Sequence, residues 1–231
     1  MFSLEDKVAI ITGSSGGIGS ALVEGFVKAG ASVYPVDRRS GLDITNPKDM
    51  DYFFSRILRG NIDILVNCAG ITLPNPDGTE NYTDEDWDRT IAVNLTAPWK
   101  MCRMVFPLMK WHGGSIINII SVASEQGFSN NPAYGAAKGG LKILTKCLAM
   151  DWAKYNIRVN NLGFSYFRTA MTQKSYNDLE MRKKRTDRQM IERYAEPEEA
   201  VGMVIYLASD ASSFVTGQDF YIDGGFLNKG I

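Results

Sequence analysis

Apolar residues in this chain come in short β-branched bursts, separated by longer stretches with helical spacing. The bursts are Lys7–Thr12, Ser32–Val36, Ile62–Val66, Ser115–Ile120, Ile157–Asn161 and Phe220–Ile222. A run that is apolar at consecutive positions suits a strand covered on both faces, since a half-exposed strand would alternate. Between the bursts, Ser20–Ala29 gathers Leu22, Val23, Phe26 and Val27 on one face and closes at Gly30. Pro47–Leu58, Asp84–Lys110, Tyr134–Tyr155 and Pro197–Ala208 also read as helices. Strands alternating with helices call for a parallel sheet, and right-handed crossovers make a doubly wound α/β fold the expectation.

One place breaks the rhythm. Only five residues, Arg38 to Leu42, separate Asp37 from Asp43. A crossover between parallel strands needs about a dozen. The reading is that both the third strand and its crossover helix are reduced, leaving the sheet short on that edge. No repeat or linker divides the 231 residues, so they read as one domain, 1–231.

The totals exclude several classes of function. A formal charge of −1 provides no global field toward nucleic acid or anionic lipid, so neither is expected as a partner. Cys68, Cys102 and Cys147 are scattered and lack CxxC spacing, which argues against a disulfide framework or a zinc site. With His112 the lone histidine, placed by Gly113-Gly114 in a surface turn, a histidine triad or metal cluster is disfavoured. No leader-like start and no membrane-length apolar run is evident, and the chain reads as cytoplasmic.

Candidate chemistry begins at Thr12-Gly13-Ser14-Ser15-Gly16-Gly17-Ile18-Gly19, after a strand and opening a helix. Glycines there let the backbone approach a pyrophosphate, and the helix start offers free N–H groups. Asp37 ends the next strand, eighteen residues beyond Gly19. An acid at that distance accepts hydrogen bonds from ribose hydroxyls and repels a 2′-phosphate, favouring NAD(H) over NADP(H). Arg38 and Arg39 pull the other way, since a guanidinium could pair with that phosphate.

Tyr134 and Lys138 lie one helical turn apart, and Ser121 precedes Tyr134 by thirteen residues at a strand end. A phenol titrates near pH 10, and a neighbouring ammonium is expected to lower that value toward neutrality. A serine hydroxyl at the strand end could hold a substrate oxygen as charge develops.

With these residues in order, the chain resembles a classical short-chain dehydrogenase/reductase over nearly its whole length. The matching elements are residues 12–19, Asp37, Asp43-Ile44, Asn67-Cys68-Ala69-Gly70, Asn94, Ser121, Tyr134-x-x-x-Lys138, Arg158-Val159-Asn160 and Asp223-Gly224-Gly225. The resemblance implies a Rossmann-type sheet and a catalytic set of Asn94, Ser121, Tyr134 and Lys138. Asn94 would support a proton relay through Lys138. It implies a cofactor set of Gly13, Ser15, Gly17, Ile18, Gly19, Asp37, Arg38, Asp43, Ile44, Asn67, Ala69, Gly70 and Thr169, together with Tyr134 and Lys138. A homotetramer (or homodimer) built on the long helices is implied too.

The family usually carries Pro-Gly where this chain has Phe164-Ser165. Losing that pair predicts a remodelled or mobile turn, strained at Ser165, that positions the nicotinamide weakly. The following segment, Ala170–Glu192, is rich in cations and is either a solvated face or a lid that greets an anionic substrate. The favoured reading is NAD(H)-dependent interconversion of a secondary alcohol and a ketone, with a polyol, sugar or sugar acid as the substrate implied by resemblance to gluconate-dehydrogenase-like members of the family. Alternatives are an NADPH-dependent 3-oxoacyl thioester reductase and a catalytically weak dinucleotide-binding sensor or assembly protein.

Overall fold

The computed structural model describes residues 2–57 and 60–229. Leu58, the expected end of the second helix, lies outside them, as do Arg59, Met1, Gly230 and Ile231. In chain order the elements are β1 (Val8–Thr12), α1 (Gly17–Lys28), β2 (Ser32–Val36), α2 (Pro47–Ile57), β3 (Ile64–Asn67), α3 (Asp84–Ile91) and α4 (Ala97–Met109). There follow β4 (Gly114–Ser121), α5 (Pro132–Trp152), β5 (Ile157–Phe164), α6 (Gln173–Asn177), α7 (Leu179–Thr186), α8 (Val201–Ala208) and β6 (Asp219–Ile222). The six strands form one parallel sheet ordered β2-β1-β3-β4-β5-β6. Order reverses between β1 and β3, the crevice where ligands collect in such sheets.

Successive side chains of a strand leave opposite faces, and each face has its own core. Ile10, Leu65, Ile116 and Val159 pack with Met50, Phe53, Met101, Val105 and Leu148 of α2, α4 and α5. Their sequence neighbours Ala9, Ile11, Ile64, Val66 and Ile117 pack with Leu22, Phe26, Val204 and Leu207 of α1 and α8. Double coverage explains why the strands read as unbroken apolar runs.

The expected shortening is present. After β2 the chain makes one tight turn at Arg38–Ser40, passes Gly41 at φ +82° and enters α2. Asp43 is a turn residue whose carboxylate accepts from the Thr45 amide and hydroxyl at 2.8 and 2.6 Å. Among the described residues no strand forms outside β2, which becomes the sheet edge with Pro35 in its length.

Two elements differ from expectation. The helix read as Asp84–Lys110 is two helices joined by a π-type turn, Ala92–Thr96, containing buried Asn94. Strand β5 runs to Phe164 rather than stopping at Asn161. Register aligns four polar residues across the sheet, Asn67, Asn118, Asn161 and Asp219. Their side chains link directly, or through Thr145, by hydrogen bonds of 2.6–2.8 Å. His112 occupies the exposed turn after α4, as read.

Candidate active site

The glycine loop is built by close approach. Gly13 has φ +70°, and a Cβ there would lie 2.7 Å from the Ala69 Cα, so the β1 and β3 loops touch backbone to backbone. Thr12 Oγ1 fastens the contact by accepting from the Cys68 and Ala69 amides, each at 3.1 Å. Helix α1 starts without a side-chain cap and without an acidic residue in its first turn. Its first N–H groups therefore remain available to an anion in the cavity beside Gly13, Gly16 and Gly17. Across the cavity Thr169 closes on the loop, its Cγ2 2.8 Å from where a Gly17 Cβ would sit. These features fit a dinucleotide pyrophosphate.

Asp37 directly follows β2 and faces the same loop. Its carboxylate accepts from the Ser15 amide at 3.1 Å and from the Arg39 amide at 2.8 Å. Arg39 in turn donates to the Ser15 carbonyl at 3.1 Å, so both backbone polar groups of Ser15 are held. Arg38, Leu42, Asp43 and Ile44 complete this end of the cavity. Partial burial opposes ionisation of Asp43, but the Thr45 hydrogen bonds and the nearby Arg38 and Arg89 charges hold its carboxyl below the usual range.

At the other end stand Ser121, Tyr134 and Lys138. Ser121 is the last residue of β4, and its Oγ accepts from the Ala123 amide at 3.1 Å and donates to the Phe164 carbonyl at 3.4 Å. Tyr134 and Lys138 share a face of α5, with Nζ 5.8 Å from the phenol ring centroid. Lys138 is 4% exposed and donates to the Ile119 carbonyl at 2.7 Å. Burial pulls its pKa down to about 8, with the neighbouring Cys68 as the opposing influence. Burial likewise pushes the Tyr134 phenol up, with the Ser121 hydrogen bond as the lowering influence. The expected lowering of the phenol by Lys138 is therefore reversed in the protein alone, because desolvation exceeds any help from an ammonium committed to Ile119.

Most of the expected residues meet in this one cavity. Gly13, Gly17, Ile18, Gly19, Asp37, Arg38, Asp43, Ile44, Ala69, Gly70, Ser121, Tyr134, Lys138 and Thr169 all line it. Ser15, which is exposed, and the buried Asn67 and Asn94 are not among its lining residues. The Asn67 amide nitrogen donates into the sheet, to Asn118 Oδ1 at 2.8 Å. Asn94 donates to the Ile71 and Thr90 carbonyls, each at 3.0 Å, and accepts from the Ile71 amide at 3.2 Å. It thereby fixes the cavity wall at Ile71. Sequence reading missed Val93, Ile119, Phe167 and Thr172 as lining residues. Only Thr172 carried a local signal, a hydroxyl three residues after Thr169 that accepts from its amide at 3.1 Å.

The turn after β5 corrects an expectation. Phe164 continues the strand, paired with Ser121 and Ile222, and its buried ring packs on Phe167 with centroids 4.8 Å apart. Ser165 has no positive φ, so the predicted strain is absent, and its hydroxyl donates to Gln189 Oε1 at 2.6 Å. The Pro-Gly pair has been replaced by one more rung of sheet and a side-chain tether.

The family model for enoyl-(acyl carrier protein) reductase matches residues 13–227. The chain is 35% identical to the gluconate 5-dehydrogenase of Gluconobacter oxydans, covering 97% of this chain and 96% of that protein. It is 32% identical to the 5-keto-D-gluconate 5-reductase of Escherichia coli, covering 98% of both. That alignment spans 250 positions against 231 residues, so it crosses gaps in this chain, in keeping with the short link after β2. The gluconate 5-dehydrogenase of Burkholderia cenocepacia, solved with NADP and tartrate, superposes with a TM-score of 0.92 at 30% identity, covering 99% of this chain and 98% of that one. With sheet, cavity and sequence in agreement, the chain belongs to the short-chain dehydrogenase/reductase family and is an oxidoreductase that acts on CH–OH groups with a nicotinamide dinucleotide.

Proposed function

We propose that the protein interconverts a secondary alcohol and a ketone on a sugar acid, using NAD(H). The observation that carries this reading is the Ser121–Tyr134–Lys138 group at the far end of the cavity that begins at the glycine loop. A nicotinamide held in this cavity would supply or accept the hydride. Tyr134 gives the substrate oxygen its proton in reduction and takes it back in oxidation. Ser121 Oγ holds that oxygen as charge develops. Lys138 fixes the floor through Ile119 and replenishes the Tyr134 proton, and Asn94 holds the wall at Ile71. Gly13, Gly17, Ile18 and Gly19 hold the pyrophosphate, Asp37 the adenosine ribose, and Thr169 the carboxamide.

Asp37 supports NAD(H), because its carboxylate stands at the end of β2, where a 2′-phosphate would be repelled. Arg38 and Arg39 are the countervailing observation, and a relative is known with NADP bound. A 4-hydroxyisoleucine dehydrogenase with a TM-score of 0.89 was solved with NADH. Sugar acids are supported by the gluconate and ketogluconate enzymes among the relatives.

A second reading, 3-oxoacyl thioester reduction, is favoured by 36% identity to the 3-oxoacyl-[acyl-carrier-protein] reductase of Thermotoga maritima. The sensor reading loses the strain at Ser165 on which it rested. Purified protein with NADH and 5-keto-D-gluconate, followed by loss of NADH absorbance, tests the first reading. Turnover of acetoacetyl thioester with NADPH alone would replace it with the second.

We further infer a homo-oligomer in the cytoplasm. Helices α4 and α5 carry Trp99, Ile143 and Met150 at 37%, 57% and 83% exposure, an apolar surface that a second copy would cover. Cys147 is free and exposed, which suits a reducing compartment. Among the described residues no helix is long and apolar enough to cross a membrane.

A further inference from the structure

Like Lys174, Arg182 and Lys184, Arg188 is not among the cations that the described residues pair with a carboxylate. Lys183 is paired with Asp187, Arg168 with Glu196 and Arg193 with Glu199. Arg185 is committed to the Ser175 hydroxyl and lies over the Tyr166 ring. Among the described residues Arg188 has no carboxylate partner within 4.0 Å.

It is nonetheless held in place. Its guanidinium carbon is 4.7 Å from the Phe226 ring centroid and 5.8 Å from that of Phe128. Those two rings are nearly parallel, 13° apart in plane, and their centroids are separated by 6.1 Å. One nitrogen donates to Gln126 Oε1 at 3.3 Å. A guanidinium braced this way has most of its five donors still free, pre-organised for a planar acceptor.

Arg188 is exposed and lies outside the residues that line the cavity, but its brace is tied to the reacting end from two sides. Gln126 and Phe128 follow Ser121 on the same loop. Gln189, the next residue after Arg188 and 1% exposed, holds the Ser165 hydroxyl. The carbonyl just before Ser165, that of Phe164, accepts from Ser121 Oγ. Lys229 fixes the Gln189 backbone by donating to its carbonyl at 2.8 Å.

We propose that Arg188 is the carboxylate anchor of the substrate site, clasping the acid end of a sugar acid while its carbonyl or carbinol carbon lies at Ser121 and Tyr134. This rests on the sugar-acid reading above. Arg188 is then a specificity residue: it favours anionic over neutral polyols and takes no part in hydride or proton transfer. Charge-assisted bidentate contacts of this kind are worth roughly 10- to 100-fold in affinity.

The test uses the NADH-loaded protein with R188M and R188K. With R188M, KM for 5-keto-D-gluconate should rise roughly 10- to 100-fold while kcat changes by less than about threefold. The affinity for NADH and the rate with a neutral ketose should be unchanged, and R188K should fall between wild type and R188M. An unchanged KM, or an equal loss on charged and neutral substrates, overturns the assignment. Calorimetric titration of the NADH-bound protein with gluconate reads the anchor without turnover. If wild type binds gluconate and R188M binds it at least tenfold more weakly, the anchor stands even where no sugar acid is turned over, and only the reaction reading fails. Equal binding, or no binding by wild type, overturns the anchor.

Discussion

Lys138 shares a helix face with Tyr134, yet its ammonium is bonded to the Ile119 carbonyl of β4, 2.7 Å away, and stands 5.8 Å from the Tyr134 ring centroid. Burial therefore acts on the two groups in opposite directions on the pH scale, lowering one and raising the other. Each is driven toward its neutral form.

Removing the phenol hydroxyl should remove the chemistry and spare the binding. Y134F is expected to lower kcat by roughly 10²- to 10⁴-fold, the usual worth of a positioned acid–base group. NADH affinity, measured by fluorescence, should stay within about threefold of wild type. A variant that kept wild-type turnover would remove Tyr134 from the mechanism.

The raised phenol also sets a pH dependence. Alcohol oxidation needs the phenolate, so its rate should climb by about tenfold per unit between pH 7 and pH 9. Ketone reduction uses the neutral phenol and should not climb over that range. A flat oxidation profile between pH 7 and pH 9 would show that the phenol is already ionised.

Lys138 makes a separate prediction about stability. Its folded-state pKa of about 8 lies below the ordinary 10.5. Between those values the unfolded chain binds more protons than the folded one, so stability from this group rises with pH. That contribution is complete above 10.5 and lost as pH falls back through 8. Urea unfolding at pH 7 and pH 9.5 should show K138M gaining less from the alkaline shift than wild type; equal gains would contradict the buried charge.

Asp37 should govern the choice of dinucleotide. D37S removes the carboxylate that faces Ser15 and the ribose position. We expect kcat/KM to fall about tenfold or more with NADH and to rise with NADPH. Steady-state kinetics with both cofactors decides it, an unchanged ratio being the adverse result.

Phe164 should prove structural. F164A would empty a buried site against Phe167 at a cost of about 3 kcal/mol, lowering Tm by roughly 6–12 °C. Differential scanning calorimetry reads the shift, and a Tm within a degree or two of wild type would contradict the packing.

The parts of the fold legible in sequence were those with a one-dimensional signature. Strand β2 was read to the residue, and the five-residue gap after Asp37 announced the missing outer strand. Strand β5 was cut short at Asn161 because Asn160 and Asn161 look like the end of an apolar run. Both are fully buried, satisfied by partners such as Val215 and Asp219 that lie more than fifty residues away in sequence. The break at Ala92–Thr96 was invisible for a related reason, since an extra residue in one turn leaves the apolar spacing on either side intact. Asn67 and Asn94 were placed in the right region, while the direction of each amide, decided by strand register and by Ile71, had no sequence signature.

A sheet that loses its outermost strand should gain a sticky margin, a row of donors and acceptors able to template another chain. Here the Ser32 amide bonds to Lys7 and the Val36 carbonyl accepts from Gly13, so those residues face inward and Val33 and Pro35 face out. The pyrrolidine nitrogen of Pro35 carries no hydrogen to offer, and it falls in the middle of the bared margin. The short edge thus comes with its own stopper, and the sheet can end at β2 while remaining hard to polymerise through that margin.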